Sequence, residues 1–300
     1  MHKRVGFLLS LFFVVIALVG CTAQNEQNSN GNNEEKKTEE PEYRIISTTV
    51  VLTEIANKLD LDLVGIPTTS KELPERYKNL PEVGMAMSPN MEMILSLKPT
   101  DVLTATTLTE YVEEPFTQYN VPATYFNLES VDNMYEEILK LGEKYNRTEQ
   151  AGKLVNDFEN RLKEIEEKVK GQEGPTVLIL LGVPGSYLVA TEDSYVGDLV
   201  RRLGGKNAVS NKGVEYISSN TENLQQSNPD IILRLAHGLP DEVIKMFDKE
   251  FKENDIWKHF KAVQNNRVYD LEEERYGTTA SLEAPEALEE LLGILYPDLK

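Results

Sequence analysis

Residues Asn146 to Gly171 set the frame for the whole chain. Apolar side chains fall at Ala151, Leu154, Val155, Phe158, Leu162, Ile165 and Val169. Those steps of three and four place one stripe on one side of an α-helix. The residues between are mostly charged and belong to a face in water. Thr148 or Asn146 stands where a cap is expected, and Gly171 with Gly174-Pro175 ends the helix. About 24 residues at 1.5 Å each span roughly 36 Å, the width of a small domain. A helix of that length bridges two lobes, here expected over 43–145 and 172–300.

The flanks of this helix resemble each other. The first holds Glu92, then Pro99, Asp101 and an apolar run; the second holds Glu222, then Pro229, Asp230 and an apolar run. Each reads as a short helix that stops before proline, turns, and feeds a buried strand. Around them, apolar runs at 44–47, 63–66, 102–105, 123–126, 176–181, 230–235 and 267–269 alternate with helical patterns, among them 50–59, 131–145, 195–203, 241–250 and 284–295. Gly182 to Gly185 reads as a turn, and 186–190 as strand or loop. Alternating strands and helices imply an α/β protein with parallel-type sheets covered on both faces. Residues 67–89 carry four prolines and no long regular element, and a loop-rich stretch of that length is often functional.

The N-terminus fixes the expected compartment. His2-Lys3-Arg4 precedes an apolar run from Phe7 to Val19, which ends in Gly20-Cys21. The run is short for a membrane span, and small residues before cysteine form the bacterial lipoprotein pattern. Residues 1–20 then read as a signal peptide, with lipid on Cys21. Cys21 is the only cysteine, so there is no disulfide framework and no thiolate metal site. Residues 22–42, rich in Asn, Gln and Glu, read as a disordered tether. Without the signal, 29 basic residues face 50 acidic ones, a balance that argues against nucleic acid and against a basic membrane-binding surface.

Few residues suit chemistry. The mature chain has only His237 and His259, which leaves a catalytic triad or a three-histidine zinc site poorly supported and argues against a zinc or manganese importer. His259 lies in an aromatic helical turn and reads as structural or surface. His237 follows a buried strand in a loop bounded by Gly238 and Pro240. A lone histidine is more often a packing residue, but open α/β sheets hold ligands beyond the carboxyl ends of their strands. Met85, Met87 and Met91 cluster before the Glu92 helix. Methionine usually fills cores, yet Met87 stands in a Ser-Pro turn, and a Met/His pair is a known axial set for haem iron.

Long stretches now carry a family likeness. Val177 to Thr191, Tyr216 to Leu224, Asn228 to His237, Asn254 to Val263 and Val268 to Glu273 resemble the haem-binding lipoproteins of the iron-regulated surface determinant importers of Gram-positive bacteria. The likeness covers nearly all of the mature chain. It implies a class III periplasmic-binding-protein-like fold, two α/β lobes joined by one long helix, with one haem b held between them. The family's axial methionine lies in Gly-x-x-Met-x-Pro-Asn, which maps to Met87, with Met85 as a nearby rival; the axial histidine maps to His237. Haem propionates are expected at the start of the first helix, at Thr49 and Val50. In the wider family one acidic residue per lobe docks on permease arginines, which points to Glu92 and Glu222. The resemblance thus implies a monomer that is not an enzyme. It takes haem from a cell-wall transfer protein and delivers it to an ABC haem permease at the outer face of the cytoplasmic membrane. A ferric-siderophore or cobalamin receptor of the same fold, a haem-handling enzyme and a structural surface lipoprotein are the alternatives.

Overall fold

A computed structural model describes residues 43–218, 224 and 227–299. Strand β1 (Ile45–Ser47) is buried throughout. Thr49 then takes extended backbone and its hydroxyl accepts the Leu52 amide at 3.3 Å, which starts helix α1 (Val50–Lys58). Strand β2 (Leu63–Gly65) follows, then a small hairpin of β3 (Gly84–Met85) and β4 (Ser88–Pro89). Next come α2 (Met91–Ser96), β5 (Asp101–Ala105), α3 (Thr109–Gln118), β6 (Ala123–Phe126) and α4 (Val131–Lys144). The four strands β2-β1-β5-β6 lie in that order, all parallel.

Helix α5 (Thr148–Lys168) is the long helix of the sequence pattern. Ala151, Val155, Leu162 and Ile165 are buried along one side, with Leu154 and Phe158 half-buried beside them. Neither Thr148 nor Asn146 caps it. The chain reverses from α4 within three residues, so Asn146 is used for a left-handed turn at φ +55° and Arg147 takes the cap position without a side-chain bond. Gly142 makes the reversal tight: a Cβ there would lie 2.4 Å from that of Ala151. The far end stops as read, with Gly171 at φ +82°.

Beyond it lie β7 (Thr176–Val183), β8 (Ser186–Ala190), α6 (Tyr195–Arg202), β9 (Lys206–Asn207), β10 (Tyr216–Ser218), β11 (Ile231–Ala236), α7 (Pro240–Glu253), α8 (Lys261–Gln264), β12 (Val268–Leu271) and α9 (Ala284–Leu295). The second sheet runs β10-β8-β7-β11-β12, with β9 also beside β7. It is mixed: β7, β9, β11 and β12 are parallel, whereas β8 and β10 pair antiparallel. The reason is local. Val183 pairs with Ser186 across Pro184-Gly185, and Gly185 at φ +84° allows a two-residue turn, which only antiparallel strands can use. Gly182 belongs to the strand, where a side chain would meet Val243 and Phe247 at 2.4–2.5 Å.

One cluster of buried apolar residues runs from β1 and α1 through α4 and α5 into β7, β11 and α9. The helix stripe is thus the shared core of both sheets, and the described residues form one compact unit. The helix read at Glu222 lies outside the described residues.

Candidate functional site

Strand β11 ends at Ala236, and the His237 amide extends the ladder by donating to Gly182 at 2.9 Å. The chain then turns through Gly238 at φ +62° and Leu239 at φ +47° into α7. Its parallel neighbour β12 ends at Leu271, so Glu273 emerges at the same edge of the sheet. His237 Nδ1 is buried and lies 3.1 Å from Glu273 Oε1, a close polar contact bent away from ideal hydrogen-bond alignment. The His237 ring holds the Glu273 carboxyl below its ordinary value, against the opposing effect of burial. The imidazole keeps 38% of its surface exposed. With Nδ1 turned to the carboxylate, Nε2 is the nitrogen open to a ligand.

Glu273 also lines a cavity of about 530 Å3 between the two sheets. The start of α1, at Thr49, Val50 and Val51, forms one wall together with Lys71; Glu273, Thr279 and Glu283 stand on the other. The first turn of α1 carries no acidic side chain, and a helix start presents amide groups free of intrahelical partners. That corner suits a carboxylate. The rest of the lining is acid-rich, and burial followed by the nearby Glu283 raises the carboxyl of Glu54 above its ordinary value. Anionic groups of a ligand therefore fit at the α1 end beside Lys71, and not across the whole cavity.

Met87 stands at the tip of the β3–β4 hairpin, in the two-residue turn Ala86-Met87. Gly84 permits this turn at φ +94°, since a Cβ there would lie 2.6 Å from the Asn90 amide. Met87 is 52% exposed and Met85 62% exposed. Thr68 donates to the Gly84 carbonyl at 2.9 Å, which fastens the hairpin to the loop that carries Lys71. Thr49, Val50 and His237 are thus brought together through Glu273 and its cavity. Met87 stands on the hairpin that is bonded at Gly84 to the Lys71 loop; neither Met87 nor His237 itself lines that cavity. Glu92 is exposed in the first turn of α2, behind the Asn90 cap, and His259 is exposed. Cys21 and Glu222 lie outside the described residues. Sequence reasoning missed Glu273 and Lys71. The acidic run 272–274 just past a strand parallel to that of His237 was the available signal.

The chain belongs to the periplasmic binding protein family, whose model matches residues 45–274. Within that class its relatives include the high-affinity heme uptake system protein IsdE of Staphylococcus aureus strain bovine RF122 / ET3-1. That protein is 49% identical over 300 residues, covering 99% of this chain and all of the relative. Among solved structures, S. aureus IsdE complexed with heme is 51% identical, covering 85% of this chain and 99% of that one, with a TM-score of 0.82. An ABC transporter substrate-binding protein from Listeria monocytogenes EGD-e is 52% identical over the same shares, with a TM-score of 0.81.

Proposed function

We propose that this chain is the haem-binding component of an ABC importer: it captures one haem b between its two lobes and delivers it to a membrane permease. The contact between His237 Nδ1 and Glu273 carries this reading, because it leaves Nε2 of a half-exposed imidazole for iron. The names of its close relatives supply the cargo.

In this reading His237 and Met87 hold iron from opposite faces, and the amides at Thr49 and Val50 receive a propionate. Haem supplies the iron that the importer gathers; the protein binds, orients and shields it without turnover. Residues 43–145 and 172–300 act as lobes about the bridging segment 146–171. Residues 1–20 are removed as a signal, lipid on Cys21 holds the monomer at the outer face of the cytoplasmic membrane, and residues 22–42 tether it. Glu92 and Glu222 dock on the permease, and a cell-wall haem-transfer protein is the donor.

The test is an absorption titration of the chain in detergent micelles with haem, beside Met87→Ala and His237→Ala. Saturation at one haem with six-coordinate low-spin bands that each substitution alters is expected. Unaltered spectra in both variants would move the ligands to Met85 or elsewhere. No saturable binding would return the chain to a siderophore or cobalamin receptor.

A further inference from the structure

Leu239 breaks two local rules at once. Its φ of +47° lies in the left-handed region, where the Cβ of any residue other than glycine is crowded. It also precedes Pro240, whose ring drives the preceding residue toward extended backbone. Such an outlier persists only where its surroundings hold it. Here the His237 amide is bonded to Gly182 at 2.9 Å on one side, and the Leu239 carbonyl accepts the amides of Glu242 and Val243 at 3.0 and 3.2 Å on the other. Glu273 draws on both His237 Nδ1 and the Gly238 amide between them.

Internal packing does not offset this strain, because the Leu239 side chain is 58% exposed. Nine large hydrophobic side chains are exposed among the described residues, and three of them, Met85, Met87 and Leu239, fall within two residues of Met87 or His237. Glycine would satisfy the backbone better at 239. A leucine in that conformation puts exposed apolar surface on the loop that carries His237.

We propose that Leu239 is a porphyrin-contact residue, held on the His237 loop so that its side chain covers the macrocycle of haem bound through His237. This rests on the haem reading above. An apolar cover there keeps water from the bond between iron and imidazole and slows release.

The full-length chain in detergent tests it, as the unsubstituted protein, Leu239→Gly and Leu239→Met. Three quantities are read: the rate of haem transfer to excess apomyoglobin, the affinity for metal-free protoporphyrin IX, and the thermal midpoint of the apoprotein. Leu239→Gly should release haem about five- to tenfold faster, the size expected when half a leucine side chain loses apolar burial. Its protoporphyrin affinity should fall by a similar factor, because the contact is with the ring and not the metal. Its thermal midpoint should hold or rise as backbone strain is relieved, and Leu239→Met should stay within about twofold of the unsubstituted rate. Equal release and equal protoporphyrin affinity in Leu239→Gly would overturn the inference alone. So would a loss confined to haem, which would mean action through His237, or a fall in the midpoint, which would make Leu239 structural. An unsubstituted chain that binds no haem would overturn both this inference and the reading beneath it.

Discussion

Arg202 and Glu273 both stand where the two halves of the molecule meet, and their surroundings are opposite in kind. The Arg202 side chain is 11% exposed and reaches Asp132 at the start of α4, Glu166 on α5 and Asp198 on its own helix at 2.5, 3.0 and 3.0 Å. Asp198 in turn accepts the Val131 amide at 3.2 Å. One cation thus ties the first half, the bridging helix and the second half together, and Arg201 adds a second pair to Asp198. Glu273 meets the His237 ring and the Gly238 amide, with Lys71 nearby, in an acid-rich wall beside a half-exposed imidazole and an open cavity. The first junction is held by ion pairs within the chain; the second borders an open, acid-rich cavity. The contrast implies a protein whose halves keep a fixed pivot while the cleft fills, so loading should produce small closure rather than a wide swing.

The largest break in this contrast is Arg202→Met. It keeps the apolar stem and takes the cation away from Asp132, Glu166 and Asp198; Asp198, 5% exposed, retains Arg201 and the Val131 amide. Removing one partner from a buried ion network costs about 3 kcal/mol, read as a lower urea midpoint. Adding Asp198→Asn should recover part of that loss. A loss below about 1 kcal/mol would mean that the junction is held by packing alone and that its charges are ordinary surface pairs. Glu273→Gln should do the reverse. Haem affinity is expected to fall about 10- to 100-fold, as when a partner that orients a metal-bound histidine is lost, while the urea midpoint scarcely moves. A large fall in the midpoint with haem affinity intact would make Glu273 a structural residue like Arg202.

The contrast was only partly legible in the sequence. Helix α5 was, because a stripe recurring every three or four residues has one physical meaning, and so were most strands, as short apolar runs between turn residues. The repeat around Glu92 and Glu222 was visible as a pattern, and the structure shows a shared consequence at the aspartates that follow, Asp101 and Asp230. Asp101 bonds Thr124 at 2.8 Å and also meets Lys144 and Tyr145, while Asp230 accepts the Thr176 amide at 3.0 Å and pairs with Lys261. In each half an aspartate at the start of a central strand fastens the neighbouring strand. Arg202 was not singled out: Asp198 is a local partner four residues back on the same helix, but Asp132 and Glu166 come from two other helices that no local pattern brings to it. His237 was marked by its place after a strand, and Met87 chiefly by family likeness. Glu273 was hidden because the contact crosses between parallel strands 36 residues apart in sequence, by their register of Arg234 with Asp270. Local spacing carries no record of such register.

The smallest expected effect lies in the acid-rich cavity that Asp198 and Arg201 help to line. Glu215 lines a second cavity of about 650 Å3 with Glu129 from the first half and Asp193 from the second; Glu192, Asp198, Arg201 and Lys212 also face it. Its carbonyl accepts the Thr191 amide at 2.8 Å, so the backbone there is pinned. Burial, then the charges of Glu129 and Asp193, push its carboxyl up to about 7. A carboxyl raised above its unfolded value of 4.5 binds its proton more tightly when folded. Its contribution to stability is therefore fully present below pH 4.5 and is lost as pH rises toward 7. After allowance for solvent screening of a partly exposed group, the difference is about 1–2 kcal/mol. Glu215→Gln keeps the shape and removes the charge, so it should stabilise the protein by about that amount at pH 8 and leave it unchanged at pH 4. Urea midpoints measured from pH 4 to 8 would then fall with pH in the unsubstituted chain and run flatter in the variant. Parallel slopes in the two would place the pH dependence on other groups and leave this stretch of the junction as settled as the one at Arg202.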